Sequence, residues 1–193
     1  MTETKALNPV GYLQIFKLFE NGEEELVFEE NNVITSGMGV GFSHLFSASG
    51  GLTITDYQIL NFLVGSAGDY NDYGTSTYKL QSPVLSTANW GSDTGLVLEE
   101  YYTIEAGVKR GSVLPLARIR FSNIHKVTST SVRYTLVLDR NTLNTAAINE
   151  IGLYMRNPRG LAPPSPILVA YRPFTNIVKT RDFSLIFRWT IQF

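Results

Sequence analysis

The sequence Asp182-Phe-Ser-Leu-Ile-Phe-Arg-Trp-Thr-Ile-Gln-Phe193 places Phe183, Leu185, Phe187, Trp189, Ile191 and Phe193 at every second position. Side chains two apart share one face of an extended strand, so this period reads as a β-strand with one buried side. Burying each aromatic or branched side chain stabilises the fold by roughly 1.5–3 kcal/mol. A chain whose strongest segment is such a strand needs other strands to pair with it and a second layer over its apolar face.

Earlier segments supply them. Residues 10–19 and 25–29 are β-rich and flank Asn21-Gly22, the dipeptide favoured in two-residue hairpins. Met38, Phe42, Leu45 and Phe46 then fall at helical spacing after Thr35 and Ser36, predicting a short helix over 36–48, capped by those hydroxyls and weakened by Gly39 and Gly41. The apolar run 57–64 predicts a buried strand, and further strands are expected over 95–106, 113–121, 131–139, 146–155 and 167–171. Residues 140–144 read as a turn and 157–166 as a proline-set connection. The expectation is an all-β, sandwich-like domain with one short helix and long loops: an N-terminal arm at 1–9, a single domain over 10–193, and a long polar loop at 66–94.

Composition narrows the chemistry. A chain of 193 residues that is 44% hydrophobic can bury a sizeable core. Its 16 Lys+Arg against 17 Asp+Glu provide no field to recruit nucleic acid or an anionic membrane, and neither is expected as a partner. No apolar run has the length of a spanning helix, and the first residues lack a signal peptide's basic and apolar regions, so a soluble product outside the usual secretory route is expected. Without cysteine, disulfides, thiolate metal sites and cysteine nucleophiles are excluded.

Motifs for catalysis or cofactor binding are incomplete. Gly37-Met-Gly-Val-Gly41 opens a predicted helix, but Phe42 stands where a dinucleotide fingerprint needs its last glycine, so close packing is the expected role. Asp69-Tyr-Asn-Asp-Tyr-Gly74 resembles the opening of a calcium loop, yet Tyr73 and Leu80 occupy positions that should carry oxygen ligands. His44 and His125 are the only histidines and have no ligand spacing between them; the first is expected to pack and the second to be exposed. The paired carboxylates at 23–25, 29–30 and 99–100 read as solvated strand faces. No catalytic residue, metal or cofactor is assigned.

The aromatic residues are more informative. Tyr70, Tyr73, Tyr78, Trp90, Tyr101 and Tyr102 crowd the polar middle of the chain, where a core would not gather so many hydroxyls. Tyr and Trp combine contact area with a polar handle, which suits an interface with protein or a stacking surface for a host-surface glycan.

Three blocks in order carry a resemblance. They are Asn31-Asn-Val-Ile-Thr-Ser-Gly37; residues 59–65 with Tyr78-Lys-Leu80; and Asn149-Glu-Ile-Gly-Leu-Tyr154, continuing through Ile167-Leu-Val-Ala-Tyr-Arg-Pro-Phe174 to Ile177-Val-Lys-Thr180 and the final strand. Together they resemble a group of tailed-bacteriophage virion proteins found among tail, baseplate and tail-fibre attachment components. The resemblance implies a β-rich subunit of the virion, assembled in the host cytoplasm with copies of itself and other virion proteins. It also implies structural roles for Asn149, Glu150, Gly152, Leu153, Lys179 and Trp189. The expansion at 159–166 and the tyrosine-rich length of 66–112 depart from the simplest form of that pattern. A head decoration protein and a carbohydrate-binding β-sandwich are the alternatives.

Overall fold

The structure is a computed structural model, and it describes residues 9–46, 57–66, 68, 98–99, 103–105, 108–110, 116–155 and 166–193. In chain order the elements are β1 (Val10–Phe19), β2 (Glu24–Ile34), α1 (Ser36–Phe46), β3 (Ile59–Gly65), β4 (Leu98–Glu99), β5 (Thr103–Glu105), β6 (Val108–Arg110), β7 (Leu116–Arg118), β8 (Ile124–Thr128), β9 (Ser131–Leu138), β10 (Ala147–Met155), β11 (Ile167–Val178) and β12 (Phe183–Gln192). Ten strands form one sheet in the order β4-β7-β3-β10-β11-β2-β1-β12-β9-β8, and β5 pairs with β6 separately. Every pairing is antiparallel.

Chain geometry forces this sheet to curl. β7 stands second in the order and β8 tenth, a separation of roughly 38 Å if eight strand spacings were laid flat. The link from Arg118 to Ile124 can span at most about 22 Å. A second sign is that Phe174 of β11 and Phe187 of β12, with two strands between them, have ring centroids 6.2 Å apart. The expected sandwich-like layering is thus realised by two halves of one curled sheet, closing over a core that includes Leu13, Ile15, Phe62, Ile151, Leu153 and Leu185.

β12 is the strand its period indicates. Phe183, Leu185, Phe187, Trp189 and Ile191 are buried, and the strand lies between β1 and β9 over nearly its whole length. All seven residues of β3 are buried, and the β1–β2 hairpin turns at Asn21-Gly22 with Gly22 at φ 85°.

Several expectations change. The helix is where it was predicted, but the Thr35 hydroxyl donates to the Leu168 carbonyl, tying the helix start to β11 instead of capping it. Of the predicted strand at 113–121, 113–115 lie outside the described residues; Leu116–Arg118 form β7, and the Ile119 N–H still donates to Leu60 O at 2.7 Å. Phe121 opens a short 3-10 turn, because the chain there must leave β3 and cross to the far edge of the sheet. β11 runs past 171 to Val178; Pro173 is tolerated because it sits at the register slip between Ile148 and Glu150, beyond the pairing of β11 with β2 at Ala170 and Tyr171. β8 adds an edge strand that the apolar pattern did not indicate, since four of its five residues are exposed.

The sheet has two distinct ends. At one, the hairpin after β1, residues 139–146 and residues 179–182 lie together, joined by a 3.0 Å ion pair of Arg140 with Glu20 and by backbone bonds of Lys179 with the Thr145 N–H and the Ala146 carbonyl. Gly65 and Ser66 end β3 on this side, opposite Glu150. The other end gathers Pro9, Val10, Phe193, the β8–β9 turn and α1: Val10 pairs with Gln192, Phe193 N–H donates to Thr130 O at 2.8 Å, and the Phe42 and Phe193 rings are 5.9 Å apart.

Candidate functional site

The expected interface residues Tyr70, Tyr73, Tyr78, Trp90, Tyr101 and Tyr102 lie outside the described residues, as do 1–8, most of the 66–94 loop, the calcium-like segment and 157–165. What is described is how the polar loop is rooted. Asn149 holds Gly68 by both backbone groups: the Gly68 N–H donates to Oδ1 at 2.9 Å, and Nδ2 donates to the Gly68 carbonyl at 3.0 Å. Beside it, Glu150 is fully buried and accepts a 2.8 Å hydrogen bond from the Tyr171 hydroxyl. A Cβ on Gly65 would stand 2.2 Å from Glu150 Oε1, so a side chain there would displace the carboxylate. Burial, with the Glu150 charge second, raises the Tyr154 pKa. Gly152 and Leu153 pair with Leu63 and Phe62 on one side and with Tyr171 and Ala170 on the other, inside the core.

Trp189 belongs to a second constellation, one that spans three strands. Its indole is fully buried and Nε1 donates to Asn32 Oδ1 at 2.7 Å. Asn32 is on β2 and Trp189 on β12, with β1 between them. The residue of β1 opposite Asn32 is Gly11, where a Cβ would lie 1.8 Å from Asn32 Oδ1. Only the missing side chain lets the carboxamide reach across β1. Gly37 and Gly41, one helical turn apart, serve packing in the same way: a Cβ on them would meet Leu168 O at 2.0 Å and Met155 Sδ at 2.3 Å.

Lys179 is also fully buried, at the loop end. Its Nζ donates to Thr180 O at 2.6 Å and to Asn144 Oδ1 at 3.4 Å, and lies 5.3 Å from the Phe183 ring centroid. Burial pulls its pKa down to about 8, against the upward pull of Asp139 and Asp182. The adjoining turn is anchored by Asp139 Oδ1, which accepts from the Asn141 N–H at 2.9 Å and the Thr142 hydroxyl at 2.7 Å. Leu143 and Thr145 have φ of 54° and 72°. Such values cost non-glycine residues about 1–3 kcal/mol each.

Arg172 fills the fork where β11 and β2 diverge. Its guanidinium pairs with Glu30, donates to Asn31 O at 3.0 Å and stacks 5.3 Å from the Phe28 ring centroid. At the helix end, an apolar cleft of about 370 Å³ opens among Met38, Phe42, Ile59, Ile124, Tyr134 and Phe193.

These polar groups hold one another. They do not form an acid–base pair facing a cleft. His125 is exposed on β8 opposite Arg133, and no cluster of three metal-ligating side chains occurs among the described residues. Sequence reasoning missed Gly11, Asn32, Arg172 and Asn144. The one available signal was Gly11 standing on the inward-facing phase of β1. Comparison with protein-family models, curated proteins and solved structures finds no match.

Proposed function

We propose that this chain is a structural subunit of a bacteriophage virion, an adaptor or fibre-attachment protein of the tail or baseplate that works by binding without turnover. The observation that carries the reading is the position of two departures from the sheet. Pro9, the last residue of the N-terminal arm 1–9, is at the helix end, and Ser66, where the tyrosine-rich loop begins, is at the loop end. An adaptor needs contact elements on opposite sides. The half-buried Asn149 clamps Gly68, and the buried Tyr171–Glu150 hydrogen bond lies beside it, giving the loop a rigid root that lowers the entropy cost of ordering it on a neighbour. Copies around an axis would also cover edge strands such as β8.

The test is the mass in solution by light scattering across a concentration series, for the intact chain and for one with 69–94 replaced by a short Gly-Ser linker. A defined trimer, hexamer or larger ring that falls apart in the shortened chain is expected. A monomer at every concentration that binds glycans, with binding lost in Trp90→Ala, would replace this reading with host-surface recognition.

A further inference from the structure

The turn at 139–146 combines backbone strain with a buried amine. Among the described residues, the non-glycine positions with positive φ are Leu143 and Thr145, the two neighbours of Asn144. Strain of this kind persists where surrounding structure enforces it, and it gathers at functional sites. Here it presents one side chain: Asn144 Nδ2 donates to Arg140 O at 2.8 Å, which turns Oδ1 toward Lys179 Nζ, 3.4 Å away. The lysine is fixed to the same turn, its backbone N–H donating to Ala146 O and its carbonyl accepting from the Thr145 N–H, both at 2.9 Å. Nucleophile and carboxamide are thus held on one frame, within a wall formed by Phe183.

We infer that Lys179 and Asn144 are the two halves of an intramolecular isopeptide bond, formed when Lys179 Nζ displaces ammonia from the Asn144 carboxamide. The amide carbon is about 1.2 Å from Oδ1, so it lies at most about 4.6 Å from the amine before any movement. Rotation about the last lysine bond turns the nitrogen lone pair toward that carbon. The Nζ–Cγ bond forms and the Cγ–Nδ2 bond breaks. One proton leaves the attacking nitrogen and is delivered to Nδ2, which departs as ammonia. Nothing is oxidised or reduced, and no co-reactant is needed.

Asp139 and Asp182 are near enough to act on the amine electrostatically, and Arg140 is the opposing charge. With the pKa at about 8, roughly a tenth of the amine is neutral at pH 7. Ordinary amides resist amines in water, but fixing the pair in contact replaces a rare encounter with a standing one.

The experiment is the intact mass of the purified full chain after incubation above the lysine's pKa. The expected mass is below that of the sequence by one ammonia, with resistance to trypsin after Lys179 and a fragment joining Asn144 to Lys179. Asn144→Ala, at a half-buried position, is expected to fold and to retain the full sequence mass. A wild-type chain at full mass, or cleaved into fragments with Asn144 and Lys179 unlinked, would overturn the inference. So would loss of ammonia that persists in Asn144→Ala.

Discussion

Gly11→Ala adds one methyl group to the innermost part of the sheet. The new Cβ would lie 1.8 Å from Asn32 Oδ1 and 2.4 Å from its Cγ and Nδ2, far inside contact distance. β1 is held on both sides, by Asn32 of β2 and Ile191 of β12, so the backbone has little room to retreat and the carboxamide must swing away. Trp189 Nε1, fully buried, then loses its acceptor. An unsatisfied buried donor costs about 1–3 kcal/mol, and overpacking adds about 1–3 kcal/mol. Alanine's advantage over glycine in a strand returns only about 0.5–1 kcal/mol. The net destabilisation is about 1–5 kcal/mol, and urea denaturation followed by Trp fluorescence measures it. Asn32→Ala is the control: it also orphans the indole but removes the clash, so the double variant should be no less stable than Asn32→Ala alone. Additive losses from the two substitutions would refute the reasoning, because they would mean that the methyl group and the carboxamide do not compete for one space.

The remaining predictions concern other parts of the sheet. Burial pushes the Tyr134 pKa up to about 12, so folding is favoured fully below the unfolded tyrosine value near 10 and loses that contribution as pH rises toward 12. Tyr134→Phe should therefore lose less stability than wild type between those values, by up to about 1.4 kcal/mol per pH unit, in urea titrations at stepped pH. Asn149→Ala removes both bonds to Gly68 and should cost about 1–2 kcal/mol, with faster hydrogen exchange at the Gly68 amide. Arg172→Met should cost about 1–3 kcal/mol in thermal denaturation. Arg172→Lys should fail to restore it, since a single ammonium cannot reach Glu30 and the Asn31 carbonyl while stacking on Phe28.

Much of the fold was legible because it depends on local pattern. The period of two in β12, the Asn-Gly turn, the apolar run of β3 and the helix after Thr35 each follow from backbone geometry within a few residues. β8 escaped notice because an edge strand is stabilised by its partner β9 and need not bury its own side chains. Phe121 looked like part of a strand because its spacing continues that of β7; the need to cross to the other sheet edge ended the strand earlier.

The polar centres divide in the same way. Glu150, Lys179 and Trp189 stand out in the sequence as motif residues, but their partners lie far along the chain. Tyr171 comes from β11, Asn144 from the turn after β9, and Asn32 from beyond an intervening strand. Periodicity determines which face a side chain occupies, because that follows from the geometry of its own strand. Register, curl and crossing links determine which distant group it meets, and these arise only when all the strands pair at once. The sequence alone therefore indicated an all-β chain with a buried final strand. Only the tertiary structure decided that Gly11 opens the way from Asn32 to Trp189, and that a strained turn holds Asn144 against Lys179.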